Sequence, residues 1–338
     1  MAALLRSNSV PKSTKILLGA LVSISALILV LKYNAFKAQT QESFHNMQVP
    51  YLQLIPRYTL FYPWVVLTAI FAEVSVVGFG ASGLVIFVAS GYIEKYWGWK
   101  EVVKFVLIVG SITNFVTVLI TIVTNIVRGD VAGMNQALGG GISYYFGFLV
   151  VFKQLIPEHN IVLFQGLVNF RVKHLPFTLL VLVSLWSLLI SRSLYPAIPS
   201  INSFIISYSY LRFFQSFVTD PLLPITSASG ANGETAGSSL ITGDASDTFQ
   251  LVEFFPSITK PYLSVVFDKG YELIVFLGIV TPFNDETVEQ SNLRAQKRQE
   301  QANQAQKSVA NSVAERRRQV ALQVIEDRIN KEAATSST

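Results

Sequence analysis

Six apolar runs divide residues 16–217 of this 338-residue chain, at 16–36, 74–92, 102–127, 139–153, 175–190 and 198–217. Several are close to the ~20 residues that a helix needs to cross the hydrocarbon core. The charge content agrees: 14% of residues are charged, against about 25% in soluble domains. The expected fold class is therefore an all-α integral membrane protein, a six-helix bundle followed by a long polar tail. The first run has the length of a signal peptide. It leads into the basic and aromatic segment Lys32-Tyr33-Asn34-Ala35-Phe36-Lys37 with no small-residue cleavage site, so it is expected to be a retained span.

Lysine and arginine favour one side. Arg6, Lys12, Lys15, Lys95, Lys100, Lys104, Lys153, Arg171 and Lys173 fall on the side of the N-terminus. Lys32, Lys37, Arg57, Arg128 and Arg192 fall on the other. The positive-inside rule then places both termini in the cytosol. Four segments are expected: a cytosolic N-terminus at 1–15, a membrane domain at 16–218, a flexible Ser/Gly/Ala/Thr-rich linker at 219–247 and a cytosolic tail at 248–338. The run 273–280 is too short to span, and 248–283, rich in Phe and Pro, is expected to fold against the bundle. Beyond 284, Val309, Val313, Val320, Val324, Ile325 and Ile329 recur at helical spacing, with Arg316, Arg317 and Arg318 beside them. This predicts an amphipathic helix, either solvated or docked on a protein or an anionic leaflet.

The stretch 63–98 resembles the entry to the membrane core of the rhomboid superfamily. It opens on Trp64, an expected interfacial anchor, and closes on Gly91-Tyr92-Ile93-Glu94 and Gly98. The resemblance asks for a serine in a Gly-x-Ser-Gly motif at the fourth span, a histidine in the sixth, and a histidine and an asparagine in the second. Here the fourth span reads Gly141-Ile142-Ser143-Tyr144, with a tyrosine expected to crowd the helix contact. The sixth lacks histidine, and the second-span positions fall on Gly78 and Ser82. His45, His159 and His174 all lie in expected loops. Ser143 thus has no evident base and reads as a packing or backbone-bonding residue. Lys104 and Lys153 sit at span ends, where they can snorkel.

No catalytic, cofactor or metal residues are assigned. The chain has no cysteine and three histidines, which disfavours a metal centre. Glu73 is expected to face water or cap the second span, and Glu94 to brace the span junction. Gly139, Gly140, Gly141 and Gly147 are expected to allow close packing of the fourth span. Gly78, Gly80, Gly83 and Ser82 read as a packing face, since a phosphate loop would follow a soluble strand. Arg212 is expected to pair with an acid or a lipid headgroup, or to serve as a positive-inside anchor.

Three further stretches narrow the family: 147–158 with Lys153-Gln154-Leu155-Ile156-Pro157-Glu158, 209–215 with Tyr210-Leu211-Arg212-Phe213, and Gly243 to Phe249 followed by Phe254-Phe255-Pro256. With the Arg-rich tail they resemble the transmembrane protein 115 family of Golgi rhomboid-like proteins. The resemblance implies a catalytically dead rhomboid fold in Golgi membranes, acting in Golgi-to-endoplasmic-reticulum retrograde transport as a scaffold or cargo adaptor. Its implied partners are the bilayer, client membrane proteins and cytosolic vesicle-tethering machinery met by the tail. Nucleic acid is not among them, and a homo-oligomer is compatible with it. The alternative is an intramembrane serine protease with an unconventional site at Ser143. A transporter is disfavoured because the span cores are nearly free of ionisable residues.

Overall fold

The computed structural model describes residues 10–38, 47–157, 160–163, 168–217 and 241–300, with a few positions beyond 300. His45, His159 and the apolar stripe from Val309 to Ile329 lie outside the described residues.

Six helices stand where the six apolar runs predict them: α1 (Lys12–Ala38), α2 (Val76–Trp97), α3 (Trp99–Arg128), α4 (Ile142–Leu155), α5 (Leu175–Trp186) and α6 (Ala197–Ser209). A wide turn, Ser187–Ser191, extends α5, and another, Tyr210–Phe214, extends α6. By length and composition, four helical stretches can cross a bilayer: Lys12–Lys37, Val76–Trp97, Trp99–Arg128 and Val172–Ser191. A two-stranded hairpin pairs β1 (Asn160–Leu163) with β2 (Val168–Arg171) between α4 and α5. A second pair joins β3 (Ser216–Phe217) to β4 (Ile241–Thr242). Helix α7 (Lys260–Phe276) and a helix over 285–300, α8, follow.

The start of α1 and the end of α6 lie at one end of the bundle, the proximal end. Glu94 fixes that end. Its carboxylate accepts the backbone N–H groups of Lys12 (3.1 Å) and Ser13 (2.8 Å) and the Ser13 hydroxyl (2.6 Å). The expected brace exists, and what it braces is the N-terminus of the first span, where an anion also meets the helix dipole. Composition assigns Ser13 and Thr14 to a polar leader. Both are fully buried inside α1, with Thr14 and Ser90 sharing a 2.8 Å hydroxyl contact.

One continuous core runs through the bundle, including Leu21, Ile86, Phe105, Val109, Tyr144, Phe148 and Tyr208, together with Phe249 and Phe254 from beyond the spans. The most extensive helix contact is α4 against α6. Tyr144 does not crowd it. Its ring is buried against Tyr145 and Phe148, while α6 supplies small buried residues at Ser200, Ser203 and Ser207. Small side chains on one helix leave room for a large one on its neighbour.

At the distal end, Tyr51, Tyr62 and Trp64 pack edge to face, and the Trp64 indole donates to the Tyr51 carbonyl at 3.1 Å. Trp64 is 54% exposed, as an interfacial anchor should be.

Candidate functional site

Two polar constellations interrupt the apolar bundle, one at each end. The distal one surrounds the start of α4. This helix has 14 residues and spans roughly 21 Å, short of the ~30 Å hydrocarbon core. Its leading segment therefore has to find hydrogen-bond partners inside the protein. Leu138 N–H donates to the Leu54 carbonyl (2.7 Å) and Gly140 N–H to the Ala69 carbonyl (2.7 Å). The Tyr195 hydroxyl donates to the Gly139 carbonyl (2.7 Å). Gly141 N–H donates to the Glu73 carboxylate (2.8 Å).

Glu73 thus caps α4, not the second span; Ser75 caps that one by accepting Gly78 N–H at 2.9 Å. The reason is geometric. The turn before α2 is tied to α1 by Glu73 N–H donating to the Ser25 hydroxyl (3.2 Å), which points the carboxylate back into the bundle. Ser82 also donates to it (2.7 Å) and lies 2.6 Å from the Tyr145 hydroxyl. A serine has one hydroxyl hydrogen, so the chain runs Tyr145 to Ser82 to Glu73. Gly140 has φ +88°, and a Cβ there would stand 2.7 Å from the Glu73 carboxylate, so this approach requires glycine.

Ser143 is fully buried and donates to the Gly140 carbonyl (3.0 Å), the backbone-bonding role expected of it. No base reaches it among the described residues. The Gly141 amide, two residues before Ser143, serves the Glu73 carboxylate. Gly147 packs as expected, with a Cβ meeting Phe105 at 3.3 Å. Gly80 faces open space and Gly83 meets only Leu18 at 4.0 Å, so the expected packing face on α2 is not formed by those two.

The proximal constellation is larger and gathers the three stretches that single out the family. Arg212 at the end of α6 is buried, and one of its terminal nitrogens donates to the carbonyls of Asp244 and Ser246, both at 2.7 Å. Among the described residues it pairs with backbone carbonyls and not with an acid. Asp244 is enclosed. Its carboxylate accepts Gln154 (3.0 Å), Ser246 N–H (3.1 Å) and Arg298 of α8 (3.4 Å), while Arg298 also donates to the Gln154 carbonyl (2.6 Å). Burial alone would push the Asp244 carboxyl up. The Arg298 guanidinium and the bonds from Ser246 and Gln154 outweigh it and hold it below the ordinary aspartate range. Gly243, at φ +71°, lies where a Cβ would run into the Arg212 carbonyl.

Residues 241–249 are thus packed against the bundle, although composition groups 241–247 with the flexible linker. The apolar half of the same dock is Phe249 and Phe254, whose rings meet Tyr208 and Phe204. Lys153 does not snorkel. Its ammonium sits 3.3 Å from the centre of the Phe254 ring, buried and with no hydrogen-bond partner among the described residues. A cavity of about 280 Å³ opens beside it, lined in part by Lys173, Asp247, Glu253 and Arg298. Lys260 holds Glu253 by both oxygens at 2.7 Å. Among the described residues no three His, Cys, Asp or Glu side chains cluster as a metal site would require.

Sequence reasoning singled out Arg212 but with other partners, found Asp244 only as a member of a motif and missed Arg298 altogether. A single arginine in a Gln/Ala/Glu/Lys/Arg-rich helix carries no local mark of burial.

A family described as Eukaryotic integral membrane protein (DUF1751) matches residues 15–331. The chain belongs to this family. The Transmembrane protein 115 homolog of Saccharomyces cerevisiae is 29% identical over 337 residues, covering 96% of this chain and 94% of that protein. Rhomboid-like protein 19 of Arabidopsis thaliana is 29% identical over 224 residues, 64% of each chain. No solved structure matches. The transmembrane protein 115 resemblance drawn from the three motifs stands, and the chain is a rhomboid-like, multi-pass integral membrane protein. The family match extends from α1 through α8, so it includes the proximal dock as well as the bundle.

Proposed function

We propose that this protein is a non-catalytic rhomboid-like scaffold or cargo adaptor of Golgi membranes, acting in Golgi-to-endoplasmic-reticulum retrograde transport with both termini in the cytosol. The observation that carries the non-catalytic half is the Glu73 carboxylate on the Gly141 amide. A fixed anion at the start of α4 opposes the negative charge that acyl transfer at Ser143 would have to develop there. The transport half rests on the family resemblance. The dock adds a physical route: α6, Gln154 and the segment from Gly243 onward are tied into one unit through Arg212 and Arg298, so the tail leaves the bundle from a fixed base.

The test uses crosslinked membranes and three forms: the intact chain, a truncation after residue 300, and Ser143→Ala. That truncation keeps the buried dock, which a cut at 218 would remove. Coat or tether components should co-purify with the intact and Ser143→Ala forms and be lost from the truncation. Shortened membrane proteins that accumulate only when Ser143 is present would overturn the non-catalytic reading.

A further inference from the structure

Helix α7 has no buried residue, yet it is held on one side. Phe267 packs on Phe255 (ring centres 5.5 Å apart), and Phe255 packs on Phe177 in the first turn of α5 (5.3 Å). Farther along, Tyr271 stacks with Phe213 and Phe283 at 6.0 and 6.2 Å, nearly parallel, and accepts Phe283 N–H through its hydroxyl. Two ring clusters therefore tie α7 along the proximal rim of the bundle.

The side turned away from these clusters is also apolar. Tyr262, Val265, Val266, Leu273, Phe276 and Leu277 recur at helical spacing and are all exposed, Tyr262 at 78% and Phe276 at 88%. Ile258 before the helix and Ile279 after it extend the stripe. Lys269 is the charge within it, and its long stem lets an ammonium reach headgroups from an apolar surface. Asp268 and Glu272 stand together on one flank. A surface this apolar on a soluble tail would be a liability.

We propose that α7 lies in the plane of the membrane, with the stripe from Tyr262 to Phe276 immersed in the proximal leaflet and the Asp268–Glu272 flank in water. Lipid is the occupant because α7 is tied beside an existing lipid-facing surface. The span that includes α5 is apolar yet buries only 11% of its window against protein, with Leu182 and Leu185 exposed. Phe255 bridges that span to α7 directly. An amphipathic helix next to such a surface lies at the headgroup boundary. The segment after the linker is then a membrane anchor, followed by α8, which Arg298 ties back to the dock.

The chain has no native cysteine, so single-cysteine variants report without background. In proteoliposomes of the full chain, Tyr262→Cys, Val266→Cys, Leu273→Cys and Phe276→Cys should react with a charged maleimide at least about tenfold more slowly than Asp268→Cys and Glu272→Cys. Spin labels at the four stripe positions should collide with oxygen in preference to a water-soluble nickel chelate. Equal labelling of stripe and flank would overturn the proposal. So would stripe labels shielded from oxygen and nickel alike, or broadened by a neighbouring label, because a protein partner or a second copy would then cover the face.

Discussion

Glu73 and Asp244 show how differently two carboxylates can serve one membrane protein. Glu73 is half-buried and compensates a helix end. Removing it leaves the Gly141 amide and the Ser82 hydroxyl without their acceptor, so Glu73→Ala should cost about 1–3 kcal/mol. Glu73→Gln keeps a carbonyl acceptor and should cost less. Thermal unfolding in one detergent would rank the two. Asp244 is fully buried and charged, which is tolerable only because Arg298, Gln154 and Ser246 all address it. Its carboxyl is held below its unfolded value, so its contribution to stability is complete above about pH 4 and is lost as the pH falls through the still lower folded value. Hydrogen exchange over 243–249 should therefore stay protected from neutral pH down to about pH 5 and open only in strong acid. Arg298→Met should move that opening to higher pH. Unchanged acid sensitivity in this variant would remove Arg298 from the account.

At the level of elements, the short α4 is the informative piece. A helix too short for the bilayer needs partners for its leading amides, and the distal segment supplies them from Leu54, Ala69 and Glu73. The proximal dock rests on a comparably tight approach at Gly243. Gly243→Ala combines an unfavourable positive φ with a collision at the Arg212 backbone, and a loss of about 2 kcal/mol is expected. Limited proteolysis near residue 243 should become faster while the spans stay intact. If digestion of the variant matches that of the wild type, the Arg212 anchor does not hold this segment down.

Across the whole molecule, the bundle and the first part of the tail form one folding unit. Ending the chain at residue 240 would strip Phe249 and Phe254 from Tyr208 and Phe204 and remove the carbonyl partners of Arg212. Such a protein should aggregate on size-exclusion chromatography, whereas a chain ending at 300 should remain monodisperse. Much of the fold was legible beforehand, because a solvent without hydrogen-bond partners enforces long apolar helices that stand out in composition. The dock was less legible. The run 241–247 is Ile-Thr-Gly-Asp-Ala-Ser-Asp, which reads as linker chemistry until Arg212 and Arg298 are placed around it. The converse holds for Gly80 and Gly83, whose packing pattern meets only Leu18, at 4.0 Å from Gly83.

The sequence by itself determined the all-α membrane class and the place of the apolar helices, the interfacial Trp64, the lack of a histidine in the sixth span and the family motifs. Each is a property of local composition or of a short run of residues. Only the tertiary structure decided where the charges go: Glu73 onto α4 and not α2, Glu94 onto the start of α1, and Arg212 and Arg298 around Asp244. These contacts join residues tens to more than a hundred positions apart. A buried charge chooses its partner by proximity in the folded chain, and that proximity is set by helix packing, which no local pattern encodes.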